Sequence, residues 1–413
     1  MRIAHISYEY PPDTAFGGIA TYIRQAAVLL AERGHSVEVF AASNKRSGYI
    51  QDGNVGINLV AEMDRTRFGE AIAPIFAQRN LVEQFDVVES PEYFADGRSI
   101  LRLFPDIPQI VKLHTPSQLI RNINSCPIQL TGILRHTLNQ LRIAMGAMRR
   151  GKRPTFSKRC QTLTSMQSEL ELLERNYVKQ CHFIVSPSEA LIRWAIREWG
   201  IAPTSTMVVP NPYIPSTDLL STSTVSGRHV VGFFGRLEYR KGMCDLVAAV
   251  PSILKAVPSA MFRIVGMPSY HPGTLESFEA YILRSLKRYR SNITIVGPIC
   301  LQRMPLEYDK VDVCVIPSIW ENFPNVCLEA MSAAKAIVAS SSGGMAEMLD
   351  AECGVLIPPH HPKALADSVI HMLKSDCLRA KMGYASRKRV LERYSAESIG
   401  PIIEESYRRA MLM

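Results

Sequence analysis

No stretch of this chain reaches the roughly 20 uninterrupted apolar residues that a membrane-spanning helix needs. Its start, Met1-Arg-Ile-Ala-His-Ile-Ser-Tyr-Glu9, meets charge too soon for a signal peptide and reads as a first buried strand. The nine cysteines are scattered, with no Cys-x-x-Cys pair and no metal-ligand spacing. That argues against a disulfide framework and for reduced core thiols in the cytoplasm. No Asp-x-Asp motif is present to hold a divalent ion. The spaced Gly-x-Gly-x-x-Gly of dinucleotide enzymes is missing too: the first strand leads into Gly17-Gly18, and Glu38 lies within the second strand rather than at its end. A nicotinamide oxidoreductase is thereby reduced to a minor alternative. Finally, no acidic residue stands between Asp106 and Glu169, although the chain as a whole carries 38 of them.

What is present is strand–helix alternation, twice over, in a chain of 413 residues, enough for two domains of ordinary size. This is an α/β pattern with two parallel sheets covered by helices on both faces. In the first half, strands are expected at Arg2–Tyr8, Ser36–Ala41, Asp86–Glu89, Gln109–His114, His182–Ser186 and Met207–Val209. In the second half they are expected at Val230–Phe234, Met261–Val265, Asn292–Val296, Val311–Ile316, Ala336–Ala339 and Gly354–Ile357. A helix over Ile19–Glu32 ends at Gly34, a suitable C-cap. The stretch from Ala202 to Arg228 is rich in Ser, Thr and Pro and almost uncharged. We read residues 1–205 as one domain, 206–228 as the linker and 229–394 as the second domain.

Two stretches carry chemistry. Glu321-Asn-Phe-Pro-Asn-Val-Cys-Leu-Glu329 follows the apolar run Val313–Trp320, so its two carboxylates straddle a strand end and a helix start. The N–H groups of Asn325 and Val326 lie at that helix N-terminus, where phosphate oxygens are favoured. Taken alone, the pair is equally an amphipathic helix with two solvated glutamates. The second stretch, Val230-Val-Gly-Phe-Phe-Gly-Arg-Leu-Glu-Tyr-Arg-Lys-Gly242, is a buried strand, a Gly-Arg turn and a lysine at a helix entrance. Arg236 offers a planar fork and Lys241 a point charge, a clamp for a diphosphate.

Together these stretches resemble the glycosyltransferase 4 family, whose members have the GT-B fold. The resemblance rests on Glu321 and Glu329 with seven residues between, on Gly235, Arg236, Lys241 and Gly242, on Pro11-Pro12-Asp13-Thr14-Ala15-Phe16-Gly17-Gly18, and on Gly343-Gly344-Met-Ala-Glu347. It implies two Rossmann-like domains around a cleft, with a C-terminal helix, residues 395–413, crossing back to the first domain. It also implies a metal-independent, retaining hexosyltransferase without a cofactor, using a nucleotide sugar, UDP-glucose by family frequency. Its acceptor would be a glycan or a lipid-linked saccharide, in exopolysaccharide or glycolipid biosynthesis. The implied catalytic residues are Glu321, His114, Arg236 and Lys241. Nucleotide binding falls to Arg236, Lys241, Glu329, Ile299, Gly17 and Gly18, with Glu329 on the ribose and the Gly297–Cys300 loop on the base. The donor sugar is expected beside Glu321, Asn322, Phe323, Asn325, Val326 and His114. Glu347 is expected to order the Gly343-Gly344 turn. Ala334 and Ala336 depart from the Gly and Pro that relatives often carry, and Pro324 removes one N–H donor from the loop. Another GT-B activity (epimerase or phosphorylase) and a non-catalytic sugar-nucleotide-binding protein are the alternatives.

The acid-free stretch carries Lys112, Arg121, Arg135, Arg142, Arg149, Arg150, Lys152, Arg153, Lys158 and Arg159, interleaved with Ile133, Leu134, Leu138, Leu141, Ile143, Met145 and Met148. Basic plus apolar at helical spacing suggests contact of residues 112–159 with an anionic membrane surface on the cytoplasmic face. A polyanionic acceptor explains the same charge, as does an ordinary solvated helix pair. No DNA- or RNA-binding motif accompanies it, so nucleic acid is not expected. Two or three helices are expected within 115–180.

Overall fold

The computed structural model describes residues 1–14, 17–124, 159–224, 227–274 and 276–413. Two sheets organise it. The first contains β1 (Arg2–Ser7), β2 (Ser36–Ala42), β3 (Gly48–Asp52), β4 (Val55–Val60), β5 (Val87–Pro91), β6 (Gln109–Lys112), β7 (Phe183–Ser186) and β8 (Thr206–Val208), in the order β3-β4-β2-β1-β5-β6-β7-β8. The second contains β9 (Val230–Phe234), β10 (Met261–Val265), β11 (Ile293–Val296), β12 (Val313–Ile316), β13 (Ala336–Ser340) and β14 (Val355–Ile357), in the order β11-β10-β9-β12-β13-β14. Every pairing is parallel except β3 with β4. Parallel strands flanked by helices on both faces bury nearly every residue, which is why β12 reads as an unbroken apolar run and why even the polar residues of β1 are buried.

Both sheets reverse direction in strand order, the first between β1 and β5 and the second between β9 and β12. The loops at the carboxyl ends of strands beside such a switch point form a crevice. The glycine loop leaves β1. The Gly235–Lys241 turn leaves β9, and the Glu321 loop leaves the adjacent β12. Topology therefore brings together residues that are 80 positions apart.

The tail returns across the molecule. The helix Ala396–Met411 buries Ile399, Ile403, Tyr407 and Ala410 on one stripe and lies against β5, β6 and β7 of the first sheet. The Tyr407 hydroxyl donates to Glu89 at 2.9 Å, and Arg33 Nε donates to Glu404 at 2.6 Å.

Two readings need correction, and a third falls outside the described residues. The linker does not begin at residue 206, because Thr206–Val208 pairs with β7 as the last strand of the first sheet. The hairpin β3–β4, joined through Asp52-Gly53-Asn54, was absent from the expected strands. Of the basic stretch, residues 125–158 lie outside those described; helices Ser117–Asn124 and Arg159–Gln180 flank them. Among the described residues, no helix is long and apolar enough to cross a membrane.

Candidate active site in the interdomain cleft

Gly242 shows why the β9 loop is shaped as it is. It has φ +72°, and a Cβ there would lie 1.8 Å from the Pro317 carbonyl oxygen at the end of β12. Only glycine allows the two strand-end loops to pack so closely. The contact presses Arg240 and Lys241 toward Glu321. Lys241 Nζ donates to Glu321 Oε1 at 2.5 Å, Ser318 Oγ donates to the same oxygen at 2.7 Å, and Arg240 Nη1 stands 3.6 Å from Oε2. Glu321 is buried, 5% exposed. Burial alone would favour the neutral acid, but Lys241 and Arg240 overcome it and hold the carboxyl below its usual range. Glu321 is thus a carboxylate. Burial lowers the Lys241 pKa, opposed by its contact with Glu321.

Arg236 sits differently. Its side chain is 64% exposed and 3.6 Å from Glu238. Its charge faces the cleft rather than the buried cluster, and Tyr93 of the first domain feels it.

Glu329 is one helical element further on. The Tyr308 hydroxyl donates to its Oε2 at 2.8 Å, and the Tyr308 ring stacks on Phe234 at 4.1 Å. Burial raises the Glu329 pKa to about 7, with the Tyr308 bond pulling the other way. Ile299 is half-buried on the apolar cluster that contains Phe234 and Tyr308.

Two helix N-termini meet across the gap. Gly17 and Gly18 open the helix Gly18–Glu32, and Pro324 precedes the helix Asn325–Ser332. Neither has a side-chain cap or an acid in its first turn. A Cβ on Gly18 would be 3.8 Å from Asn325 Nδ2. Uncapped N–H groups and a positive helix end on both walls favour an anion between them. The side chain of Val326 is half-buried beside them, and its carbonyl accepts from Tyr308 at 3.4 Å.

His114 stands just after β6, its ring edge-on to Tyr22 at 5.5 Å. Burial, with Lys112 and Arg65 nearby, lowers its pKa to about 3. The imidazole is therefore neutral at physiological pH. Its Nε2 is buried without a protein partner. A buried polar atom of this kind calls for a ligand group.

The structure engages two of the expected sugar-lining residues elsewhere. Asn322 Oδ1 accepts from Ser188 Oγ at 2.5 Å, and its Nδ2 donates to the His114 carbonyl at 2.6 Å. Phe323 is buried edge-on against Tyr394 at 5.2 Å, a core contact. Glu347 does not serve its own turn: its carboxylate accepts from Glu189 N and Ala190 N of the first domain, each at 2.9 Å. Sequence reasoning missed Arg240, although it stands beside Lys241. It also missed Tyr308, whose distance of 21 residues from Glu329 leaves no periodic signal. Glu38, which lacked a ligand-binding position, is occupied by Arg2 at 2.7 Å, Arg79 at 2.8 Å and Asn58 at 2.8 Å.

Comparison with known proteins agrees with this layout. Residues 16–216 match the model described as Glycosyltransferase Family 4, and residues 228–375 match Glycosyl transferases group 1. An uncharacterized glycosyltransferase of Methanocaldococcus jannaschii is 24% identical over 431 residues, covering 100% of this chain and 99% of its own length. Sucrose-phosphate synthase from Thermosynechococcus elongatus superposes with a TM-score of 0.70 at 18% identity, covering 99% of each chain. An Anabaena protein crystallised with UDP-glucose superposes with a TM-score of 0.64 at 16% identity, again covering 99% of each. With the two family matches divided between its two domains, and the GT-B fold closing a cleft around Glu321 and Glu329, the chain belongs to the glycosyltransferase 4 family.

Proposed function

We propose that this glycosyltransferase moves a hexosyl group, with retention, from a nucleoside diphosphate sugar to a glycan or lipid-linked acceptor. UDP-glucose is the first candidate donor, and the Anabaena protein of like fold crystallised with UDP-glucose supports that choice. Exopolysaccharide or glycolipid assembly is the proposed setting. The basic stretch 112–159 is the proposed contact with an anionic membrane face.

The observation that carries the reading is the buried Glu321 carboxylate held by Lys241, Ser318 and Arg240 beside the exposed Arg236. Arg236, Lys241 and the two facing helix N-termini would take the diphosphate. As the sugar–phosphate bond breaks, negative charge grows on the leaving oxygen. Cations and helix dipoles already aimed there stabilise that state more than the ground state. Glu329 would accept hydrogen bonds from the ribose hydroxyls. Glu321 faces the donor sugar, and neutral His114 offers it a hydrogen bond rather than a proton. The acceptor attacks from the face of the departing phosphate, which takes the acceptor proton. No metal ion enters this scheme.

The test is slow donor hydrolysis over a panel of UDP-, GDP- and ADP-sugars, with and without EDTA. Nucleotide release from one donor, unaffected by EDTA, is the expected result and names the sugar. No release from any donor, together with no thermal stabilisation by any nucleotide, would overturn the reading.

A further inference from the structure

The floor of the cleft is a seam between the two domains, crossed by side-chain hydrogen bonds in both directions. From the second domain, Glu347 places one carboxylate oxygen on Glu189 N and the other on Ala190 N, each at 2.9 Å. Those amides open the helix Glu189–Trp199 of the first domain, so a full negative charge meets a positive helix end. Ser188 caps the same helix. Its hydroxyl donates to Asn322 Oδ1 at 2.5 Å while its oxygen accepts from Leu191 N at 3.3 Å. The Asn322 amide nitrogen points the other way, to the carbonyls of His114 at 2.6 Å and Leu113 at 3.3 Å. Carbonyls only accept, so the amide has one workable orientation.

Glycine makes the approach possible. A Cβ on Gly344 would lie 1.9 Å from the Asn322 carbonyl oxygen and 2.6 Å from Ser188 Cβ. Gly344 N also donates to the Glu321 carbonyl at 2.8 Å. The seam thus ties together the backbones on both sides of the reaction. His114 is held by Glu92, which accepts its N–H at 2.9 Å, and by Asn322, which takes its carbonyl. Glu321 is the neighbour of Asn322 and is braced by Gly344.

We propose that Asn322, Gly344 and Glu347 form, with Ser188 and the first turn of helix Glu189–Trp199, an interdomain latch whose closure sets His114 against Glu321. These are positioning residues, and the proposal deepens the transferase reading on which it rests. In an opened cleft all of these cross-domain bonds break at once. A competent pair of His114 and Glu321 then exists only when the latch is shut. The cleft can bind nucleotide on the second domain alone and wait for closure before chemistry.

The decisive variant is Asn322→Asp. It keeps shape but aims an oxygen at two carbonyl oxygens. Glu347→Ala removes the charge from the helix end, and Glu347→Gln retains an accepting oxygen. The readouts are UDP affinity by calorimetry, kcat and KM for donor hydrolysis, melting temperature, and the radius of gyration by X-ray scattering. Asn322→Asp and Glu347→Ala are expected to leave UDP affinity within about threefold and to lower kcat by about tenfold or more. Their radius of gyration in saturating UDP should exceed that of the wild type, and Glu347→Gln should recover part of both effects. Unchanged kcat and radius of gyration in folded Asn322→Asp and Glu347→Ala proteins would overturn the latch. Parallel loss of UDP affinity and kcat would overturn it too, by moving these residues into the donor site. The scattering arm needs no catalysis, so it judges the latch even where the hydrolysis panel rejects the transferase reading.

Discussion

Glu321 stands under opposing demands of burial and neighbouring charge. It is a buried carboxylate that stays ionised because Lys241 and Arg240 are beside it. Substitution by alanine should reduce transfer by about 10²–10³-fold, the size typical for loss of one group that favours the transition state. UDP affinity, measured separately, should change little. The same variant leaves two cations without their carboxylate, so a destabilisation of about 3 kcal/mol is expected in urea melts. Glu329 makes a different prediction. Its pKa is raised to about 7, and ribose hydroxyls donate to the ionised form. UDP affinity should therefore fall as pH drops from 8 to 6. Well above pH 7, from about pH 8, the carboxylate is fully present and the affinity should level off. Glu329→Gln should bind weakly and with a flat pH profile. A wild-type affinity independent of pH across that window would count against Glu329 as the ribose ligand.

At the scale of the element, the return of the tail helix depends on Glu404. Donation by Arg33, with His35 adding to it, outweighs partial burial and lowers its pKa to about 2. A depressed carboxyl contributes stability that is complete above its unfolded value near 4.5 and is lost as pH falls toward 2. Glu404→Gln should cost about 2 kcal/mol at pH 7, and the difference from wild type should vanish in acid. Ala334 offers the reverse case. It holds φ +51°, and a Cβ on Gly383 would meet its carbonyl at 2.0 Å, so the turn is constrained from outside. Ala334→Gly should relieve the left-handed strain and raise stability by about 1 kcal/mol in thermal melts. Elements were unevenly legible in the sequence. The twelve strands foreseen are all present, because most are short buried runs dominated by apolar residues. The β3–β4 hairpin was not foreseen, although Asp52-Gly53 signals a tight turn, because β3 is an exposed edge strand with little apolar content. The strand expected at Met207–Val209 is present as Thr206–Val208, so the linker bound of 206 was set too early and overlapped it. Its place at the sheet edge comes from pairing with β7 alone.

At the scale of the molecule, the proposed diphosphate site lies between two helix starts, one from each domain. UDP at a hundred times its dissociation constant should add about 2.7 kcal/mol of stability by mass action. A rise in melting temperature of roughly 5 °C is the measurable form for a domain of this size. Residue types and spacing by themselves determined the α/β class and the two-domain plan, and singled out the two stretches proposed to carry chemistry. Local spacing tells which side chains share a strand end or a helix start, and the separation of Glu321 from Glu329 was enough for that. It cannot tell what those side chains meet. Asn322 and Phe323 looked like sugar contacts beside Glu321, yet one bonds across the seam and the other packs on Tyr394. Arg240 joins Glu321 only because β9 and β12 are neighbours, and Glu347 reaches Glu189 and Ala190 only because the domains touch. Those pairings depend on strand order and on the approach of two separately folded halves. Both are set by packing between residues distant in the chain, and only the tertiary structure decided them.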